Sequence, residues 1–269
     1  MTFPLKPILV LGLLLMSCST GKLTVVGSID GDLDEVSAAQ LVSNSDLIWT
    51  IEDAGNKNNV YGLNLKGNIV KDIDISNAKN IDWEDLTTDN KGSLYIGDFG
   101  NNSRKRKTFF IYKVENIANI KNKTEAKTIT FTLPENIKSE DFEAFFLWKD
   151  YFYIFSKTHK KTMLLKVPNQ IGNHVATFIT EYKLKGKDTR VTSADISPDG
   201  KTVILLNHDK IWKLSNFKID NFFEGNVKNI PLNHDSQKEG ICFKNNTSIY
   251  ITDEDSGKED NKIYLLKLN

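Results

Sequence analysis

Two cysteines, Cys18 and Cys242, and three arginines, at positions 104, 106 and 190, are all that this 269-residue chain holds of either type. So little cysteine excludes a disulfide framework. Cys242 lies in the apolar stretch Ile241-Cys242-Phe243, where a thiol behaves as a small hydrophobe of a strand. Net charge is lacking as well, since 35 basic residues balance 35 acidic ones. A general nucleic-acid binder carries a strong positive excess, so nucleic acid is not an expected partner. No P-loop, no Cys/His zinc spacing, no G-x-S-x-G elbow and no dinucleotide fingerprint occurs. A convincing amphipathic helix is also missing. Segments such as Thr128-Ile129-Thr130-Phe131-Thr132 and Ser248-Ile249-Tyr250-Ile251-Thr252 alternate instead with the period of a half-buried strand, which predicts an all-β chain.

The start of the chain follows different rules. Lys6 supplies a positive charge, and Ile8 to Met16 form an apolar run of nine residues. A membrane-spanning helix needs about 20, so the run reads as the core of an export signal. It ends in Leu15-Met16-Ser17-Cys18, which resembles a bacterial lipobox. That resemblance implies cleavage before Cys18, diacylglycerol on its sulfur and a fatty acid such as palmitate on the new N-terminus. More than one acyl chain gives stable anchoring. Residues 1–17 are then a lipoprotein signal peptide, 18–21 a lipidated tether and 22–269 the folded domain. Ser19 is not an inner-membrane retention signal, and residues 19–24 lack an acidic export run. The expected location is the outer membrane, facing the periplasm, with membrane lipid as the partner of Cys18.

What is abundant is repetition. A carboxylate, a short apolar strand and a second strand with a polar end recur five times. The copies run from Glu35 to Glu52-Asp53, Glu84-Asp85-Leu86 to Asp98, Glu143-Ala144-Phe145 to Ser156-Lys157, Ala194-Asp195-Ile196 to Asn207-His208, and Glu239-Gly240-Ile241 to Asp253-Glu254. They stand 49, 59, 51 and 45 residues apart. A period of this size marks a propeller or solenoid, because one copy cannot bury its own apolar face. Turn signals such as Ser197-Pro198-Asp199-Gly200 divide each copy into four strands, the composition of a propeller blade. The last copy supplies only three, and residues 22–29 offer the missing one. The spacing therefore predicts a five-bladed β-propeller closed by pairing of the N-terminal strand with the last blade. Six blades are the alternative if the long second copy hides an extra element. The connector at residues 115–125 reads as an exposed excursion within the second blade.

Particular motifs carry a resemblance. Asp82-Trp83-Glu84-Asp85-Leu86 with Leu94-Tyr95-Ile96-Gly97-Asp98-Phe99-Gly100-Asn101-Asn102 resembles a motif of uncharacterised bacterial propellers. Thr192-Ser193-Ala194-Asp195-Ile196-Ser197-Pro198-Asp199-Gly200 and Lys238-Glu239-Gly240-Ile241 resemble elements of the SdiA-regulated lipoproteins and the esterase-like phytase propellers. The resemblance implies the propeller fold over nearly the whole mature chain, and no assigned reaction.

The repeated acids begin the innermost strands, so Glu35, Glu84, Glu143, Asp195 and Glu239 are expected to converge on the channel axis. Carboxylates brought together either hold protons or enclose a cation. Oxygen ligands of this kind suit Ca²⁺ or another hard cation. Alternatively, such acids accept hydrogen bonds from amides of the neighbouring blade and lock the ring. Asp53, Asp98, Asn101, Asn102, Asn207, Asp253 and Glu254 are placed at one channel mouth as ligand-binding candidates. Asp255, Lys157 and His208 fall on the same face. Glu84, His208 and Lys157 are the candidates for acid–base chemistry. Two functions follow: an envelope-anchored module that binds an unknown protein or small molecule, or a metal-assisted hydrolase acting on a phosphoester or lactone.

Overall fold

The structure, a computed structural model, describes residues 20–33, 35–218, 220–254 and 261–268. The expected export segment, Cys18 and Asp255 lie outside the described residues. Five sheets are arranged as blades, each built on four antiparallel strands. Strand β1 (Thr24–Ser28) comes first. The first blade is β2 (Val36–Leu41), β3 (Ile48–Glu52), β4 (Asn59–Leu63) and β5 (Ile69–Ile75). The second is β6 (Trp83–Thr88), β7 (Leu94–Asp98) and β8 (Thr108–Val114), followed after a short β9 (Lys123–Thr124) by β10 (Lys127–Thr132). The third is β11 (Phe142–Trp148), β12 (Tyr151–Ser156) and β13 (Thr162–Pro168), then after β14 (Gly172–Val175) comes β15 (Thr177–Tyr182). The fourth is β16 (Ser193–Ile196), β17 (Thr202–Leu206), β18 (Lys210–Ser215) and β19 (Asn226–Pro231). The fifth is β20 (Lys238–Asn245), β21 (Ser248–Asp253) and β22 (Lys262–Lys267).

The fifth blade is completed by β1, which pairs antiparallel with β22 from Thr24 opposite Leu265 to Ser28 opposite Lys262. Five sheets, not six, form the ring. The inner strands neighbour one another in the order β2, β6, β11, β16, β20 and back to β2. The expected excursion at 115–125 is in part a structural latch. Ile117 is buried, and β9 pairs parallel with β5, so the second blade covers the outer edge of the first. In the same way β14 leaves the third blade to pair with β10 of the second. Both devices shield sheet edges that would otherwise invite pairing with another chain.

Apolar faces of adjacent blades make the core. Trp49 and Trp83 are fully buried in one shared cluster, and Trp212 in another. Phe99 meets Phe145 edge-on at 5.1 Å across the seam between the second and third blades. Each such side chain contributes about 1.5–3 kcal/mol by leaving water. Cys242 is a buried free thiol of β20, as its apolar neighbours suggest, and burial pushes its pKa well up.

Candidate functional site

The inner strands carry a bulge at the point where the acids stand. Trp83 pairs with Asp98 and Asp85 with Gly97, so Glu84 is the extra residue. Glu143 is extra between Phe142 and Ala144, and Glu239 between Lys238 and Gly240. A bulge re-aims its side chain away from the regular alternation. Three glutamates are thereby brought together at one mouth, around a cavity of about 200 Å³. Ser37, Asp53, Asp82, Asn102, Lys157, Gln237 and Glu254 complete its lining.

The expected ring of five acids is not formed. Val36 pairs with Glu52 as Trp83 pairs with Asp98, so Ser37, not Glu35, is the counterpart of Glu84. The Ser37 hydroxyl donates to the Glu84 carbonyl at 2.5 Å. Glu35 is exposed at the rim, where Asn56 donates to it at 2.7 Å and its charge reaches Asp53. Asp195 lies further along its strand. Its Oδ2 accepts the Phe243 amide at 2.7 Å, the bond that Thr87 Oγ1 makes with the Leu147 amide at 3.0 Å. Likewise Ser193 Oγ accepts the Ile241 amide at 3.2 Å, as Asp85 Oδ2 accepts Phe145 N at 3.0 Å. Asp195 is thus the counterpart of Thr87, and Thr192 stands where the second blade has Glu84. The fourth inner strand pairs without a bulge, which is why its acid faces elsewhere.

Asp85 takes the locking role most fully. Its two oxygens accept from Leu86 N and Ser193 Oγ at 2.9 Å, Phe145 N at 3.0 Å and Ala194 N at 3.2 Å. One carboxylate therefore ties the second blade to the third and fourth across the axis. Burial pushes its pKa well up, against the pull of these donors.

At the acid mouth the basic group is Lys157, whose Nζ lies 2.9 Å from Glu143 Oε2. Burial opposes its charge, but Glu239, Glu143 and Glu84 prevail and hold the ammonium well above the usual lysine range. Burial and the neighbouring Glu143 push the Glu84 carboxyl far up, so Glu84 keeps a proton and hydrogen-bonds Glu143. Burial lifts Glu143 to about 8, with Lys157 pulling the other way. Burial and repulsion from Glu35 and Glu254 lift Asp53 to about 7, and burial with Glu239 does the same for Glu254. His208 Nε2 lies 3.1 Å from Glu239 Oε1. The chain passes close enough at Gly100 that any side chain there would overlap Glu84 Oε1 and Asp82.

The remaining ligand candidates are engaged internally. Asp98 holds Arg106 in an ion pair of 2.7 Å and accepts Tyr112 OH at 3.3 Å. Asp253 accepts Tyr264 OH and Ser236 Oγ, each at 2.7 Å. Glu52 repeats the pattern with Tyr61 OH at 3.0 Å. Asn101 donates to Ser139 Oγ and the Glu140 carbonyl, and Asn207 to the Arg190 carbonyl. Only Asp53, Asn102 and Glu254 of that group line the cavity. Asp82 and Gln237 join the site without standing among the sequence candidates, although Asp82 opens the motif Asp82-Trp83-Glu84.

The donors at this mouth are oxygens, the chemistry a hard cation takes, and Asp53 Oδ1 is buried with no hydrogen-bond partner. Among the described residues, however, no three His, Cys, Asp or Glu side chains stand in metal-holding geometry. Lys157 already sits where a cation would be coordinated by Glu143, so the arrangement does not fit a preformed Ca²⁺ site.

No family model and no curated protein matches the sequence. Among solved structures, the chain is similar to a gluconolactonase from Xanthomonas campestris, with a TM-score of 0.52, 8% identity, and coverage of 94% of this chain and 96% of that one. At that identity the likeness shows the fold: this is a β-propeller. The resemblance to lipoprotein and phytase-like propellers rests on the motifs alone.

Proposed function

We propose that this protein is an envelope-anchored lipoprotein whose propeller binds a small cationic ligand, free or displayed on a partner, at the acid-lined mouth. The observation that carries this is that, among the described residues, six carboxyl groups and a single lysine line one cavity. Carboxyls that crowd one another hold protons, and an entering cation releases them. Affinity therefore rises with pH through the range of about 7 to about 8, where Asp53, Glu254 and Glu143 titrate. Calorimetric titration with calcium chloride and with spermidine, in buffers of different ionisation enthalpy, reads the protons released. Binding accompanied by proton release supports the proposal; no binding of either probe, or binding without proton release, defeats it. Anchoring is tested separately. Alkynyl-palmitate should label the wild type in its native host and not Cys18→Ala, and labelled protein should fractionate with the outer membrane.

A second reading is metal-assisted hydrolysis of a phosphoester or lactone. It is favoured by carboxyls that titrate near neutrality beside the cavity, where a general acid or base is most effective. The fold neighbour described as a gluconolactonase is consistent with it. Glu143 and Glu254 would carry the proton transfers, with His208 beside Glu239, while Glu84 and Lys157 hold their protons. A panel of lactones and phosphoesters, with and without added Ca²⁺ and with chelator, tests it, and Glu143→Gln should abolish any turnover found. A silent panel removes this reading and leaves the first standing.

A further inference from the structure

The opposite mouth of the channel holds a second and larger cavity, of about 530 Å³. That volume lies within the range of small-molecule pockets. Its floor is formed by Gln40, Thr87 and Asp195, all buried, and its walls include Leu147, Trp148 and Phe243. Along β6, Glu84 lines one mouth and Thr87 the other, with Asp85 bonded across the axis between them.

The acids near this cavity are already answered. Asp195 accepts from the Ile196 and Phe243 amides at 2.8 and 2.7 Å and from the Gln40 side chain. Asp89 at the lip is taken up by the amides of Lys91 and Ser93, each at 2.9 Å, and by Tyr95 OH at 3.0 Å. Lys149 at the rim is exposed, with its Nζ 6.0 Å from the centroid of the Trp148 ring, while Asp220 pairs with Lys166 at 2.9 Å. A cation would lose its hydration here and meet only acids already held by amides, and an anion would find only the solvated Lys149 ammonium at the rim.

Hydrogen-bonding capacity nevertheless remains on the floor. Thr87 Oγ1 accepts the Leu147 amide and donates to no described residue. The Gln40 amide has a second N–H beyond the one it gives Asp195. Facing these groups is a rigid apolar wall. Gly200, at φ 68, packs so closely on the Trp148 indole that any side chain there would overlap the ring. A hydroxyl group both donates and accepts, and a sugar ring offers hydroxyls on its edge and C–H bonds on its face.

We propose that this mouth is a binding site for a neutral, hydroxyl-rich ring, a mono- or disaccharide. Its C–H face rests on Trp148 and Phe243, and its hydroxyls meet Thr87, Gln40 and Asp195. The site is independent of the acid mouth.

Tryptophan emission supplies the readout, because Trp49, Trp83 and Trp212 are fully buried while Trp148 is half-buried at this wall. The mature protein would be titrated with D-glucose, N-acetyl-D-glucosamine and maltose into the millimolar range, with saturation-transfer NMR on each sugar. At least one sugar should give a saturable emission change and saturation transfer. Ser43→Tyr, at an exposed position on the lip, should weaken that binding about tenfold or more without touching the core. Asn102→Tyr, the corresponding block at the acid mouth, should leave the affinity within about twofold. The proposal is overturned if no sugar binds, if Ser43→Tyr binds like wild type, or if Asn102→Tyr weakens binding as much as Ser43→Tyr does.

Discussion

Glu84 and Asp85 are neighbours in one strand and both are buried, yet their surroundings are opposite. Asp85 is met by three amides and a hydroxyl, and it fastens three blades. Glu84 is met by Glu143 and Asp82, and it keeps its proton. The difference comes from the bulge, which turns one side chain towards donors and the other towards its own kind. The lesson is that a repeated acid in a propeller is a folding element on one side of the bulge and a source of stored repulsion on the other.

The sharpest way to break this contrast is to remove the fastening acid. Asp85→Ala leaves four buried donors without their acceptor and should cost about 3–5 kcal/mol of unfolding free energy, read by urea denaturation. The crowded side should be visible in pH dependence. Glu143 titrates at about 8 in the folded protein, above its ordinary value of 4.5, so the native state holds the extra proton between those limits. Stability gained from that proton is present at low pH and lost as pH rises, by up to about 1.4 kcal/mol per pH unit for one group. Glu143→Gln should flatten the fall of Tm between mildly acidic and mildly alkaline buffer; an unchanged slope would contradict the assignment. Tyr61→Phe deletes the hydroxyl held by Glu52 and should cost about 1 kcal/mol, with little effect on the pH slope. Glu35→Ala, at the exposed rim, should change stability by no more than about 0.5 kcal/mol.

The sequence made the blades legible because strand alternation and turn chemistry are local. Residues 22–29 were legible as the missing strand because three strands cannot make a blade. The register of the acids was not legible. One inserted residue separates Glu84 from the regular alternation, and no composition signal distinguishes a bulged strand from a straight one. Hence Asp195, in the unbulged fourth blade, reads in sequence like glutamates that it does not join. Ser37 and Thr192 gave no signal because a hydroxyl in a β-strand is unremarkable by itself. The clasp of a second-strand acid by a third-strand tyrosine recurs in Glu52–Tyr61, Asp98–Tyr112 and Asp253–Tyr264. It was present in the repeat, but the partner lies a variable distance downstream.

The seal between β1 and β22 has a consequence in time. Thr24 leaves the ribosome long before Leu265 has been made, so the last sheet cannot be finished during synthesis. Contacts between such distant parts of a chain form slowly. A strand translated early is among the last to find its place, and the disc stays open until β22 has been delivered.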